Sequence, residues 1–333
     1  MEKAVITIIG LGQIGTSVGL ALQSYSDRLL RIGHTRQFGD GNHAKTLGAV
    51  DKVMINLPDS VREADVVVIA LPMHELKAIM EFIAQDLKEG AVVLDTSPVP
   101  SVAAEWAETC LPEGRYFVSF TPVLNPKNIS SPEHGIQSAR ADLFKDGLFA
   151  ITSRMAASSE ALKVAADLST MMQSAPFFAD AAEIDSYMAS THLLPQLLAA
   201  SLVKVTQDAP GWDESRKIAG RPYAQLTNLV GNTDRALSLA LSAQLDKENV
   251  MRVLDNLIVD LQTMRSQIAD GNEALTKRIE HARDARAKWW TQRQEAEWMA
   301  ERMAMDLSEA GNPFGQLFGI RPRKRPRNQD EHK

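Results

Sequence analysis

The chain has 333 residues, 44% hydrophobic and 23% charged, with a formal net charge of −6. That length allows two domains and a sizeable core, and the composition is that of an ordinary globular protein. The acidic balance argues against nucleic acid as a partner of the whole chain, and the single cysteine, Cys110, excludes an internal disulfide and a thiolate metal cluster.

Taken in chain order, the first half alternates short apolar runs with helical stretches. The runs are "AVITIIG" (4–10), "LLRIGHT" (29–35), "ADVVVIALP" (64–72), "AVVLDTS" (91–97), "YFVSF" (116–120) and "LFAIT" (148–152). Helices are expected near 14–24, 42–48, 74–88 and 101–110. Near-continuous Val/Ile/Leu strands separated by helices predict a parallel sheet buried on both faces, with right-handed crossovers. After about residue 155 the strand signals vanish. Helices are then expected at 160–173, 181–208, 234–244, 247–270 and about 273–309. The 181–208 stretch is apolar and interrupted by Pro195, which predicts a kinked, largely buried helix. It is a candidate dimer core or an internal core helix. The expected organisation is a Rossmann-type doubly wound α/β domain over 1–155, an all-α substrate and dimerisation domain over 156–310, and a disordered basic tail over 311–333. No signal peptide and no membrane-length apolar run is expected, and a reducing cytoplasm fits.

The first βα turn reads "GLGQIG" (10–15), with a strand before it and a helix after it. In that context Gly10 makes the tight turn, Gly12 lets backbone approach a pyrophosphate, and Gly15 lets the helix pack on the strand. The expected cofactor-binding residues are Gly10, Leu11, Gly12, Gln13, Ile14 and Gly15. Leu71 and Pro72 join them at the end of the next inner strand. The second strand ends in His34, Thr35 and Arg36, without the acid that holds an NAD ribose. Thr35 and Arg36 suit a 2′-phosphate, so NADP(H) is expected over NAD(H). Arg36 as a solvated arginine, or as one stacked on adenine in an NAD site, is the other reading. Seven scattered histidines offer no metal-ligand spacing.

These segments together resemble the prephenate/arogenate dehydrogenase family. The resemblance spans about residues 4–285 and rests on "GLGQIGTSVGLAL", "ADVVVIALP", "VVLDTSPVP", "TPVLNP…HGIQSARADLFKDG" and "AEIDSYMASTHLLPQLLAASLV". It implies a Rossmann domain followed by a helical dimerisation domain, and hydride transfer with a nicotinamide cofactor. It also shows departures. The family's catalytic histidine falls on Thr121, its Ser and Lys after the strand-ending acid fall on Pro98 and Pro100, and its substrate arginine falls on Asn228. A hydroxyl cannot take over the acid–base work of an imidazole.

His192 is the first replacement candidate, on the helix similar to the family's substrate helix. Thr121, Asn125 and Lys127, on the loop after the 116–120 strand, come next. Arg221, Tyr223 and Asn228 are expected to line the substrate pocket. The leading expectation is an NADP(H)-dependent oxidoreductase acting on a small organic acid, imine or ketone. The alternatives are a genuine prephenate or arogenate dehydrogenase, a β-hydroxyacid dehydrogenase-like enzyme suggested by "DTSPVP", and a non-catalytic NADP(H)-binding protein. Small-molecule substrate and a second copy of the chain are the expected partners.

Overall fold

The computed structural model describes residues 3–129, 135–153, 158–231, 234–271 and 273–295. An eight-stranded sheet organises the first half: β1 (Ala4–Ile9), β2 (Leu29–His34), β3 (Lys52–Val53), β4 (Val66–Ile69), β5 (Val92–Asp95), β6 (Tyr116–Val123), β7 (Leu148–Thr152) and β8 (Ala175–Phe178). Their order is β3-β2-β1-β4-β5-β6-β7-β8. All neighbours run parallel except β6 and β7. The strands of the inner sheet are apolar on both sides because both faces are covered. Ile6, Ile8, Val66, Val68, Leu94 and Phe120 pack on one face with α1 (Gln13–Ala21) and α6 (Ser159–Met171). Ile9, Val67, Ile69 and Val93 pack on the other, with α3 (Leu57–Val61), α4 (Met73–Ile83) and α5 (Pro100–Cys110). The remaining crossover helix, α2 (Phe38–Thr46), joins β2 to β3.

The sheet runs past residue 155, where a change to all-helical structure is expected. β8 pairs with β7 from Leu148↔Ala175 to Ile151↔Phe178, and α6 covers the sheet rather than belonging to the helical half. "APFF" is too short, and too poor in β-branched residues, to announce a strand; pairing with β7 stabilises it. The helical half begins with α7 (Ala181–Met188), followed by a π-helical segment (Ala189–Leu193) and α8 (Leu194–Gln207). Pro195 falls in the first turn of α8. The widened π turn takes up the interruption that its missing N–H and its ring impose, so the helix continues past it. In the single chain this stretch is not buried on most sides: Ala199 is the buried residue of α8, and Val205 is 67% exposed. Helices α9 (Trp212–Ile218), α10 (Arg221–Thr227), α11 (Asp234–Leu245), α12 (Lys247–Asp270) and α13 (Ala274–Glu295) complete the described chain. The expected basic tail lies outside the described residues. Among the described residues, no helix is long and apolar enough to cross a membrane.

Two side chains of the helical half cap helices of the sheet half. Ser238 Oγ of α11 accepts the Met73 N–H at the start of α4 at 2.8 Å. Asp185 Oδ1 of α7 accepts the Ser101 N–H at the start of α5 at 3.3 Å. The first N–H groups of a helix have no acceptor within it, so these contacts satisfy otherwise orphaned donors while fixing one half against the other. Leu241 and Leu245 of α11 seal the junction against the α4/α5 core. Replacing Ser238 by Ala is expected to cost about 1 kcal/mol in urea unfolding, the usual worth of a helix cap. Ser215→Ala, on the exposed α9, is expected to leave the midpoint unchanged.

Candidate active site

The site is built on the C-terminal ends of β1, β4, β5 and β6. Gly10 follows β1 with φ +95°, and a Cβ there would stand 2.4 Å from the Ala70 carbonyl oxygen. A Cβ at Gly15 would stand 1.9 Å from the Gly10 carbonyl oxygen. Only glycine allows α1 to begin this close to β1. At Gly12 a Cβ would meet nothing within 4 Å, so that position faces open space. Gly12 is the N-cap of α1, with no side-chain cap and no acid in the first turn. The leading N–H groups of Gln13, Ile14 and Gly15 are therefore left for an outside acceptor, with the positive end of the helix dipole behind them. Leu11 is buried beneath the turn, while Leu71 and Pro72 lie at the end of β4, Pro72 as the N-cap of α4. The donor set fits a dinucleotide pyrophosphate.

At the end of β2, His34 is buried, with Nδ1 2.9 Å from the Met54 carbonyl oxygen. Burial, chiefly, and the nearby Arg36 charge hold it below its ordinary value, against that hydrogen bond. Thr35 is half-buried. Arg36 is 70% exposed and makes a 2.8 Å ion pair with Glu75 of α4.

β6 extends through Val123, so Thr121 lies within the strand, paired with Ala150 on β7, and not on the following loop. Its hydroxyl donates to the Ser97 carbonyl at 3.0 Å. Asn125 is buried and structural: its amide donates to the Asp142 carbonyl and its side-chain oxygen accepts the Lys127 N–H. Lys127 is exposed. His192 is also exposed, in the π-helical segment. Tyr223 does not point to a pocket with Arg221 and Asn228. Its hydroxyl bonds Thr206 of α8 at 2.9 Å and its ring packs on Trp212, while Arg221 and Asn228 are exposed. Those contacts bind α10 to α8 and α9.

The chemistry missed from sequence is a buried polar row beside Thr121. Asp95, Ser119 and Thr152 are register neighbours across β5, β6 and β7, and all are almost fully buried. Each carries a buried side-chain oxygen without a hydrogen-bond partner among the protein atoms. Ser97 Oγ donates to Asp95 Oδ2 at 2.5 Å. Burial raises Asp95 to about 7, opposed by the Ser97 hydroxyl and the Ser97 and Thr96 N–H groups. A lone acid ending the wholly apolar run "VVLD" was the available signal. The helical half was also silent about Arg293, a buried guanidinium of α13 that donates to the Leu124 carbonyl just beyond β6.

A doubly wound sheet with a glycine turn, an uncapped helix N-terminus and an adjoining helical domain defines an NAD(P)-dependent dehydrogenase. The family described as prephenate dehydrogenase, nucleotide-binding domain, matches residues 18–174. The chain is 26% identical over 275 residues to a cyclohexadienyl dehydrogenase from Zymomonas mobilis, covering 81% of this chain and 91% of that protein. It is 22% identical over 287 residues to a prephenate dehydrogenase from Bacillus subtilis, covering 85% and 76%. The fold is that of prephenate dehydrogenase from A. aeolicus, solved with hydroxyphenyl propionate and NAD+ (TM-score 0.74, 18% identity, 86% of this chain and 99% of that one). Synechocystis arogenate dehydrogenase is similar as well (TM-score 0.67, 18% identity, 86% and 99%). The chain is thus similar to prephenate and cyclohexadienyl dehydrogenases through its nucleotide-binding half and shares their fold.

Asp95 gives the site a pH signature. Its folded-state value lies above the ordinary 3.8, so between about pH 4 and 7 the folded chain keeps a proton that the unfolded chain releases. The resulting stabilisation is complete below pH 4 and is lost as pH rises through 7, about 4 kcal/mol in all. Asp95→Asn is expected to flatten the fall in urea midpoint between pH 5 and pH 8. A variant with the wild-type slope would show that Asp95 is ionised throughout.

Proposed function

We propose that this dehydrogenase prefers NADP(H) and acts on a small organic acid, imine or ketone that has diverged from prephenate. The carrying observation is Thr121. It stands where the family resemblance expects a catalytic imidazole, and its proton is committed to the Ser97 carbonyl. A threonine hydroxyl has no accessible pKa for acid–base work near neutrality. Asn125 has spent its amide and its carbonyl on backbone partners. We assign the substrate proton to His192 or Lys127, both exposed, with the imidazole of His192 better suited to neutral pH.

The 10–15 turn would hold the pyrophosphate on the α1 N-terminus, Thr35 and Arg36 would hold the 2′-phosphate, and Leu71 and Pro72 would lie along the dinucleotide. Bound there, the nicotinamide ring gives or accepts hydride at the substrate carbon. Asp95 and Ser97 set the backbone that carries Thr121 and do not themselves need to reach solvent. Exposed apolar residues on α8 and α12, among them Val205, Ile258, Val259 and Ile268, support a homodimer through the helical half. We place the enzyme in the cytoplasm on its lone cysteine.

A second reading, turnover of prephenate or arogenate with altered residues, is favoured by a match spanning 91% of a cyclohexadienyl dehydrogenase. Steady-state assays with NADP(H) and NAD(H) across prephenate, arogenate, 2-oxo acids and cyclic imines separate the two. The expected result is turnover with NADP(H) on a panel member other than prephenate or arogenate. His192→Ala is expected to lower kcat about 100-fold or more with cofactor Kd unchanged. Efficient prephenate turnover would establish the second reading. Cofactor binding without turnover on any member, and no effect of His192→Ala, would overturn both in favour of a binding protein.

A further inference from the structure

The sheet order sets β2 and β4 on either side of β1, whose C-terminal end carries the glycine turn. Arg36 lies two residues beyond β2, and Glu75 lies in the first turn of α4 after β4. Their 2.8 Å ion pair therefore spans from one flank of the dinucleotide groove to the other, over the strand end between them. Glu75 is only 23% exposed, against 70% for Arg36, and His74 Nε2 lies 3.9 Å from its other oxygen. The carboxylate is the more buried partner and the guanidinium the more exposed one.

We propose that Glu75 is a specificity-determining residue for the cofactor: it holds Arg36 across the adenosine end of the groove and competes with a nucleotide 2′-phosphate for that guanidinium. The inference rests on the reading that Arg36 is the 2′-phosphate ligand. Binding of a 2′-phosphorylated nucleotide then exchanges one anionic partner of Arg36 for another. The phosphate must also sit near a carboxylate of its own sign. A nucleotide with a free 2′-hydroxyl makes no such demand and leaves the ion pair closed. Glu75 thus narrows the margin between NADP(H) and NAD(H) that Arg36 creates.

The test is a set of dissociation constants, by fluorescence titration of NADPH and NADH and by calorimetry of 2′,5′-ADP and 5′-AMP, for wild type, Glu75→Gln, Arg36→Ala and the double variant. These positions are at the surface of the groove, and circular dichroism melts verify folding. Glu75→Gln is expected to tighten NADPH and 2′,5′-ADP about fivefold, with NADH and 5′-AMP unchanged within twofold. Arg36→Ala is expected to abolish the preference for the 2′-phosphorylated ligands, and the double variant to match it. If Arg36→Ala removes the preference but Glu75→Gln leaves NADPH unchanged or weaker, the competition is wrong and the reading of Arg36 stands. If Arg36→Ala leaves the preference intact, or none exists in the wild type, the reading of Arg36 itself fails.

Discussion

A methyl group at Gly15 would lie 1.9 Å from the Gly10 carbonyl oxygen, and one at Gly10 would lie 2.4 Å from the Ala70 carbonyl oxygen. Those close approaches are the constraint on which the site depends. They let α1 start directly above β1, leave Gly12 facing open space, and point an uncapped helix end at the groove. They also bring the ends of β1 and β4 together, since the Ala70 N–H donates to the Ile9 carbonyl while the Gly10 N–H donates to that of His34. Three strand ends converge on one turn, and the rest of the groove is arranged around them.

The helical half meets this platform through helix ends as well. Ser238 caps α4 and Asp185 caps α5, so two of the three helices on that face receive an acceptor from the second half. Asp185 is raised to about 6, chiefly by its burial, with the neighbouring Asp246 and Asp180 charges adding to the shift and the Ser101 contacts opposing it. Together with Asp95, it makes this face of the protein hold protons that an unfolded chain would release. Buried carboxylates are costly unless hydrogen-bonded or neutral. Here both are hydrogen-bonded, Asp95 by Ser97 and Thr96 and Asp185 by Ser101, and burial outweighs those donors by favouring the neutral acid.

What was legible in the sequence follows from the range of the interactions. The glycine turn could be read because its mechanism is local: a strand, three glycines at fixed spacing and a helix. The inner strands could be read because burial on both faces demands continuous apolar runs. β8 could not, because "APFF" owes its conformation to pairing with β7. Thr121 was expected on a loop because the apolar run "YFVSF" ends at Phe120, yet β6 continues through Pro122 to Val123. The roles of Tyr223, Asn125 and Glu75 depend on partners distant in sequence or on backbone carbonyls, which no pattern of residue types announces. The buried row of Asp95, Ser119 and Thr152 is a property of strand register, so only the sheet reveals it.

The central claim is that the glycine turn at the α1 N-terminus holds a nicotinamide dinucleotide. The most direct measurement is hydrogen–deuterium exchange of the full chain with and without saturating NADP+. The account predicts slowed exchange in residues 10–17 and 34–37, with 221–230 unchanged. Unaltered exchange at the glycine turn in the presence of NADP+ would contradict it.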